Sequence, residues 1–265
     1  MTRILGIDFS GAKNAGKKIW IATAHQSRGP LQIQDCRPAS TLPASGRSPE
    51  IALAALRRYI TEVPDTIAGC DFPFSLSLEM IYDDQWSSFS RNFTKRYPSP
   101  IEFYNSTHAA TGGLEWKRRT DYQDRTPFNA FNLRLYRQTW WGIGHLLAPL
   151  IADEAVTVWP QMKRRLGAPV LIEVCAACSL ISLLHYPSYK GKTKTHAAAR
   201  AGIVDMLTAN GWLAPLETSM QASLIENTEV DALDAVIGAV AVNRADLTRK
   251  PDRIDRFEGR VFYEL

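Results

Sequence analysis

The apolar positions open as a short run, Arg3-Ile4-Leu5-Gly6-Ile7-Asp8-Phe9, closed by a Ser10-Gly11 turn signal, which predicts a buried strand ending on a carboxylate. Residues 18–24 predict a second strand and the alternating stretch 31–36 a third, so the chain begins as a three-stranded meander. From Ser48 the apolar spacing widens to that of a helix of about a dozen residues, through Ile51, Leu53, Leu56, Tyr59 and Ile60. Residues 66–73 then predict another buried strand. It again ends on an aspartate, Asp71, with Pro73 stopping it.

Beyond it, residues of about 83–127 show no clear period. They interleave Arg91, Lys95, Arg96, Lys117, Arg118, Arg119 and Arg125 with aromatic residues, and are expected to form an irregular basic and aromatic insertion. A long helix is expected over 127–151, a buried strand over 170–174, and a helix through Leu180, Leu183 and Leu184. Helices follow at 193–210 and 230–244, with a closing strand at 259–263. Strands alternating with helices after a meander predict an α/β fold, a mixed sheet covered by helices. Residues 1–265 are expected to form one domain carrying the insertion.

Composition narrows the classes. Hydrophobic residues are 45% and charged residues 22% of the chain, which excludes wholesale disorder, collagen-like and coiled-coil structure. The net charge of +4 permits a polyanionic partner without requiring one. Gly6 and Asp8 interrupt the first apolar run and no stretch reaches the length of a membrane span, so a cytoplasmic protein with no membrane partner is expected. Four cysteines in a chain of this size make no disulfide scaffold. Reduced thiols are expected, including Cys175 and Cys178 at a strand-to-helix junction.

The strongest chemical signal is a set of carboxylates placed where a core would not choose them: Asp8, Asp71, Glu173, and the pair Asp231 and Asp234. Burying lone charges is expensive, so acids within apolar runs need a metal, a cation or a protonation role. Asp231 and Asp234 are three apart and share a helix face, and Ala232, Ala235, Gly238 and Ala239 keep that helix slim enough to approach a sheet. Acids on neighbouring strand ends facing a helical acid pair suit hard divalent ions, Mg²⁺ or Mn²⁺, and phosphodiester chemistry. Taken singly, an aspartate after a strand is a turn former or helix cap, and an Asp-x-x-Asp helix is a solvated face. The joint pattern favours a site.

The motifs Gly6-Ile7-Asp8-Phe9-Ser10, Gly69-Cys70-Asp71-Phe72-Pro73-Phe74, Ile172-Glu173-Val174-Cys175-Ala176-Ala177, Tyr189-Lys190, Asp231-Ala232-Leu233-Asp234-Ala235 and Glu258-Gly259 occur in that order along nearly the whole chain. In this the sequence resembles domain-of-unknown-function family 429, predicted nucleases of the RNase H-like superfamily. The Asp231 helix is also similar to that of Holliday-junction resolvases. One departure is Cys175-Ala176, where a Tyr-Pro is expected. The resemblance implies an RNase H-like three-layer fold with a five-stranded mixed sheet flanked by helices. It places metal ligands at Asp8, Asp71, Asp231 and Asp234, with Glu173 at the same end of the sheet as a further ligand or support.

The function expected is therefore a Mg²⁺- or Mn²⁺-dependent nuclease acting on DNA or RNA. Its candidate catalytic residues are Asp8, Asp71, Glu173, Asp231, Asp234 and Lys190, with Lys190 or the Arg118-Arg119 pair neutralising developing charge. Residues 11–18 nearly spell a phosphate-binding loop, but Lys18 replaces the required Ser or Thr and a strand pattern follows. They are expected to form a basic hairpin turn in which Lys13 is a candidate phosphate contact. The insertion could bind single strands or form a local aromatic core. His108, His145, His185 and His196 lack ligand spacing. Two alternatives stand beside the nuclease: an actin-like-ATPase-type phosphotransferase, which lacks a second glycine-rich phosphate loop here, and a non-catalytic RNase H-like nucleic-acid-binding scaffold.

Overall fold

In the computed structural model, which describes residues 2–124, 126–183 and 186–265, the apolar runs become strands of one mixed sheet. In chain order the elements are β1 (Arg3–Asp8), α1 (Ala15–Lys18), β2 (Trp20–His25), β3 (Ile33–Pro38), α2 (Pro49–Thr61) and β4 (Thr66–Asp71). There follow α3 (Trp86–Arg96), α4 (Pro100–Ala110), α5 (Arg119–Gln123), α6 (Tyr136–Trp141), a π-helical segment Gly142–Leu147, and α7 (Ala148–Ala152). The chain then runs through β5 (Thr157–Val158), β6 (Val170–Val174), α8 (Ala176–Ser182), α9 (Lys194–Ala209) and α10 (Thr218–Glu226). It ends with α11 (Asp231–Arg244), α12 (Arg253–Glu258) and β7 (Val261–Phe262).

The expected meander is present, with β1 antiparallel to β2 and β2 antiparallel to β3. On its other side β1 pairs parallel with β4, and β4 pairs parallel with β6. Among the described residues the sheet has seven strands rather than the expected five. The additional ones, β5 and β7, are two residues long and share the outer edge of β6, β5 against its start and β7 against its end. Strands this short leave no period in the sequence.

Alternation along the strands divides the core. Leu5, Ile7, Ala68, Cys70 and Leu171 face a layer containing α2, α3 and the 136–152 helical run, whereas Ile4, Ala22, Val170, Ile172 and Val174 face α8, α9 and α11. The slim helix α11 lies directly on β1. A Cβ at Gly6 would stand 2.1 Å from the Ala235 carbonyl oxygen and 2.2 Å from the Ala239 nitrogen, so only glycine admits this approach.

Three expectations for the intervening chain are corrected. The 83–127 insertion is largely helical: Trp86, Phe89 and Phe93 project from one side of α3 into a buried aromatic cluster with Tyr97 and Phe103. The helix expected from 127 begins at Tyr136. Asn129 and Asn132 accept the backbone N–H groups of Phe131 and Arg134, two residues on in each case, and hold the approach as turns. The 11–18 hairpin turn contains the single-turn α1. Arg125, Leu184 and His185, singled out above, lie outside the described residues. No helix among the described residues is long and apolar enough to cross a membrane.

Candidate active site

The strand ends bring the first two acids together. Asp8 and Asp71 are in direct register on the parallel neighbours β1 and β4, and by alternation both belong to the face that carries Gly6, Gly69 and α11. Asp234 sits one turn into α11 and is buried. Its Oδ1 accepts a hydrogen bond from the Tyr189 hydroxyl (2.9 Å) and its Oδ2 one from Lys190 Nζ (3.0 Å). The Tyr189-Lys190 loop is itself fastened by buried Arg200, whose guanidinium donates to the carbonyls of Tyr189, Gly191 and Ile225. Arg200 is a positioning residue that the sequence did not announce.

These charges disturb one another. Burial first, and then the charges of Asp234, Asp71 and Asp231, push Asp8 well above the usual carboxylate range, while Lys190 pulls the other way. Asp71 is pushed up to about 7, mainly by burial and next by Asp234, against Lys190 and a hydrogen bond from the Ala176 backbone. Asp231, half-buried at the start of α11, is raised to about 6 by burial, with Lys18 opposing. Burial also raises Asp234, opposed by Lys190 and Tyr189. The Lys190 ammonium, held among these acids, is raised and stays charged. The chain enters α11 through Val230 at φ 67°, a left-handed conformation unusual for a β-branched residue, immediately before the acid pair.

Asp8, Asp71, Asp234 and Lys190 line one cleft of about 330 Å³. Asp231 lies beside it, in electrostatic contact with Asp8.

Glu173 lines the same cleft. Strand alternation places it on the opposite face of the sheet from Asp8 and Asp71, in register with Cys70. There it receives both terminal nitrogens of buried Arg118, at 2.7 and 2.6 Å, and the Phe74 N–H at 2.9 Å. Arg118 also binds Asp121, and these two acids more than offset the effect of burial, raising the guanidinium pKa. Arg118, a candidate substrate contact, lines the same cleft but is 1% exposed and paired with both acids. Arg119 is likewise engaged, by Asp252 and Asp255. Lys13 is exposed on the turn after β1 and is not among the residues lining the cleft.

The thiols also differ from expectation. Cys175 and Cys178 form a disulfide across the first turn of α8, and Cys175 lines the cleft; Cys36 and Cys70 are free. His108 stacks on Tyr104, and His196 caps α9 with Thr193.

Among the described residues no group of three or more His, Cys, Asp or Glu side chains is arranged to hold a metal ion as it stands. The donor chemistry of the cleft nonetheless fits a hard divalent cation. Its acids offer oxygen alone, the donor type that hard divalent ions take.

Among known proteins, no family model, no curated protein and no solved structure matches the chain.

Proposed function

We propose that the protein is a divalent-metal-dependent nuclease of RNase H-like architecture, hydrolysing phosphodiester bonds in the Asp8 cleft. The observation that carries this reading is the in-register pair Asp8 and Asp71, facing Asp234 on a helix that crosses the sheet at Gly6. The strand order β3-β2-β1-β4-β6, with only the first three antiparallel, is consistent with the same architecture.

In this reading Asp8, Asp71 and Asp234 would hold Mg²⁺ or Mn²⁺, with Asp231 at the margin. The bound ion would supply Lewis-acid polarisation of the phosphate and acidify water. The chain's own groups do the positioning. Tyr189 and Lys190 hold both oxygens of Asp234 and so fix its orientation. The Lys190 ammonium supplies a fixed positive charge for the phosphorane-like transition state. Water oxygen bonds to phosphorus as the ester P–O bond breaks; the water releases a proton and the leaving oxygen gains one.

The test is cleavage of a mixed panel of DNA and RNA substrates with Mg²⁺ or Mn²⁺ by the parent and by Asp8→Asn and Asp234→Asn. Loss of at least 100-fold in the variants, with the fold intact by circular dichroism, supports the reading. Cleavage that survives both substitutions overturns it, and tight nucleic-acid binding with no cleavage by the parent favours the scaffold alternative.

A further inference from the structure

Beside the acids, the cleft is lined by residues from segments far apart in the chain: Phe128 and Arg134 from the turns before α6, and Tyr186 from the approach to the Tyr189 loop. Tyr186 is 50% exposed and packs edge-on against Tyr189 at 5.8 Å, the tyrosine whose hydroxyl binds Asp234. Across the chain's other contribution, the Arg134 guanidinium lies 5.1 Å from the centre of the half-buried Phe128 ring. No carboxylate pairs with Arg134 among the ion pairs of the described residues.

We propose that this cleft takes an unpaired nucleotide of a single strand, with Phe128 and Tyr186 as stacking walls and Arg134 with Lys190 as cations for the adjoining phosphates. The proposal rests on the phosphodiesterase reading and specifies its substrate.

Three observations lead to it. Every base has a π-face, so exposed aromatic rings beside cations form the sequence-tolerant surface that single strands use. The cleft's volume, about 330 Å³, is at the small end of the range of small-molecule sites, scaled to one residue of a strand. A base inside a duplex remains stacked and would have to be flipped out before either ring could reach it, which an unpaired base avoids. Of the insertion's own aromatics, Trp86, Phe89, Phe93 and Phe103 are buried in the core, and the exposed Trp116 and Tyr122 do not line this cleft.

The experiment is fluorescence anisotropy with a labelled 12-residue single strand, deoxy and ribo, and the matching blunt duplexes, in buffer containing Ca²⁺. The single strand is expected to bind the parent at least tenfold more tightly than the duplex. Phe128→Ala and Tyr186→Ala are each expected to weaken single-strand binding five- to tenfold and to leave duplex binding unchanged. Tyr186→Phe, which keeps the ring, is expected to bind as the parent does. Equal or tighter duplex binding, or single-strand binding unmoved by both alanine variants, overturns the proposal. Thermal melting of each variant separates lost contacts from lost fold.

Repeating the measurement as cleavage in Mn²⁺ distinguishes this inference from the one beneath it. Single strands bound through Phe128 and Tyr186 but never cut would end the nuclease reading and leave the cleft assignment standing. Asp8-dependent cutting of duplexes by a protein that ignores single strands would do the reverse.

Discussion

Arg118 holds Glu173 through both terminal nitrogens of its guanidinium, in a buried pair that ties the segment before α5 to the centre of the sheet. Removing one partner would strand the other's charge in the interior. Glu173→Gln or Arg118→Met should therefore lower stability by about 3 to 5 kcal/mol in urea unfolding. The double variant Arg118→Met, Glu173→Met should recover a large part of that loss. A Glu173→Gln protein with parental stability would show that the pair is not the tie described.

The acid cluster should give the metal-free protein a characteristic pH dependence. Asp71 has an ordinary value of 3.8 and is raised to about 7 in the folded chain. For a group raised on folding, the associated stability is fully present below the unfolded value and is lost as the pH climbs through the folded one. The parent's melting temperature should thus fall relative to that of Asp71→Asn between pH 4 and pH 8, with a difference of a few kcal/mol as an upper bound. Parallel profiles for the two proteins would refute this.

In the proposed metal site, divalent ions would compete with protons for the same carboxylates. Mn²⁺ should raise the melting temperature more at pH 8 than at pH 5, and Asp8→Asn should abolish the difference. The measurement is a pair of thermal titrations in chelated and Mn²⁺-supplemented buffer.

Lys190 contributes positive charge at a position fixed by Asp234. Lys190→Met should lower kcat by tenfold or more, with Lys190→Arg retaining part of the activity. An unchanged kcat in the methionine variant would remove Lys190 from the mechanism.

Gly6→Ala would set a methyl group 2.1 Å from a backbone oxygen of α11, which cannot yield as a flexible side chain would. A loss of about 3 kcal/mol or more, or insoluble expression, is expected. The same variant should lose Mn²⁺ binding, because Asp234 reaches the strand ends only through this close approach.

The disulfide gives a count. In denaturant without reductant, two thiols should react with a chromogenic disulfide reagent, and four after reduction. Four from the start would restore the expectation of reduced thiols.

Asp8, Asp71 and the α11 pair were legible because a strand end or a slim helix puts an acid in a place that local pattern reveals. The face that Glu173 occupies is held in the sequence as well. Val174, not Glu173, shares the face of Gly69 and Asp71, so counting by twos along β6 assigns Glu173 to the opposite layer. The spacing of Trp86, Phe89 and Phe93 likewise carries a helical period that the interspersed charges obscured. Other features left no local trace. The cleft walls Phe128, Arg134 and Tyr186 meet only through tertiary folding, and the Cys175–Cys178 bridge depends on how one helical turn is closed.

The crossing of α11 over Gly6 has a consequence for the chain as it is made. A ribosome releases β1 and β4, with Asp8 and Asp71, long before it reaches Asp234, and domains generally fold as their residues emerge. Until α11 is translated, the glycine strip on β1 has no cover and the two strand aspartates have no opposing partner. The nascent chain thus carries Asp8 and Asp71 in an incomplete setting, and the acid cluster is assembled only once α11 has emerged.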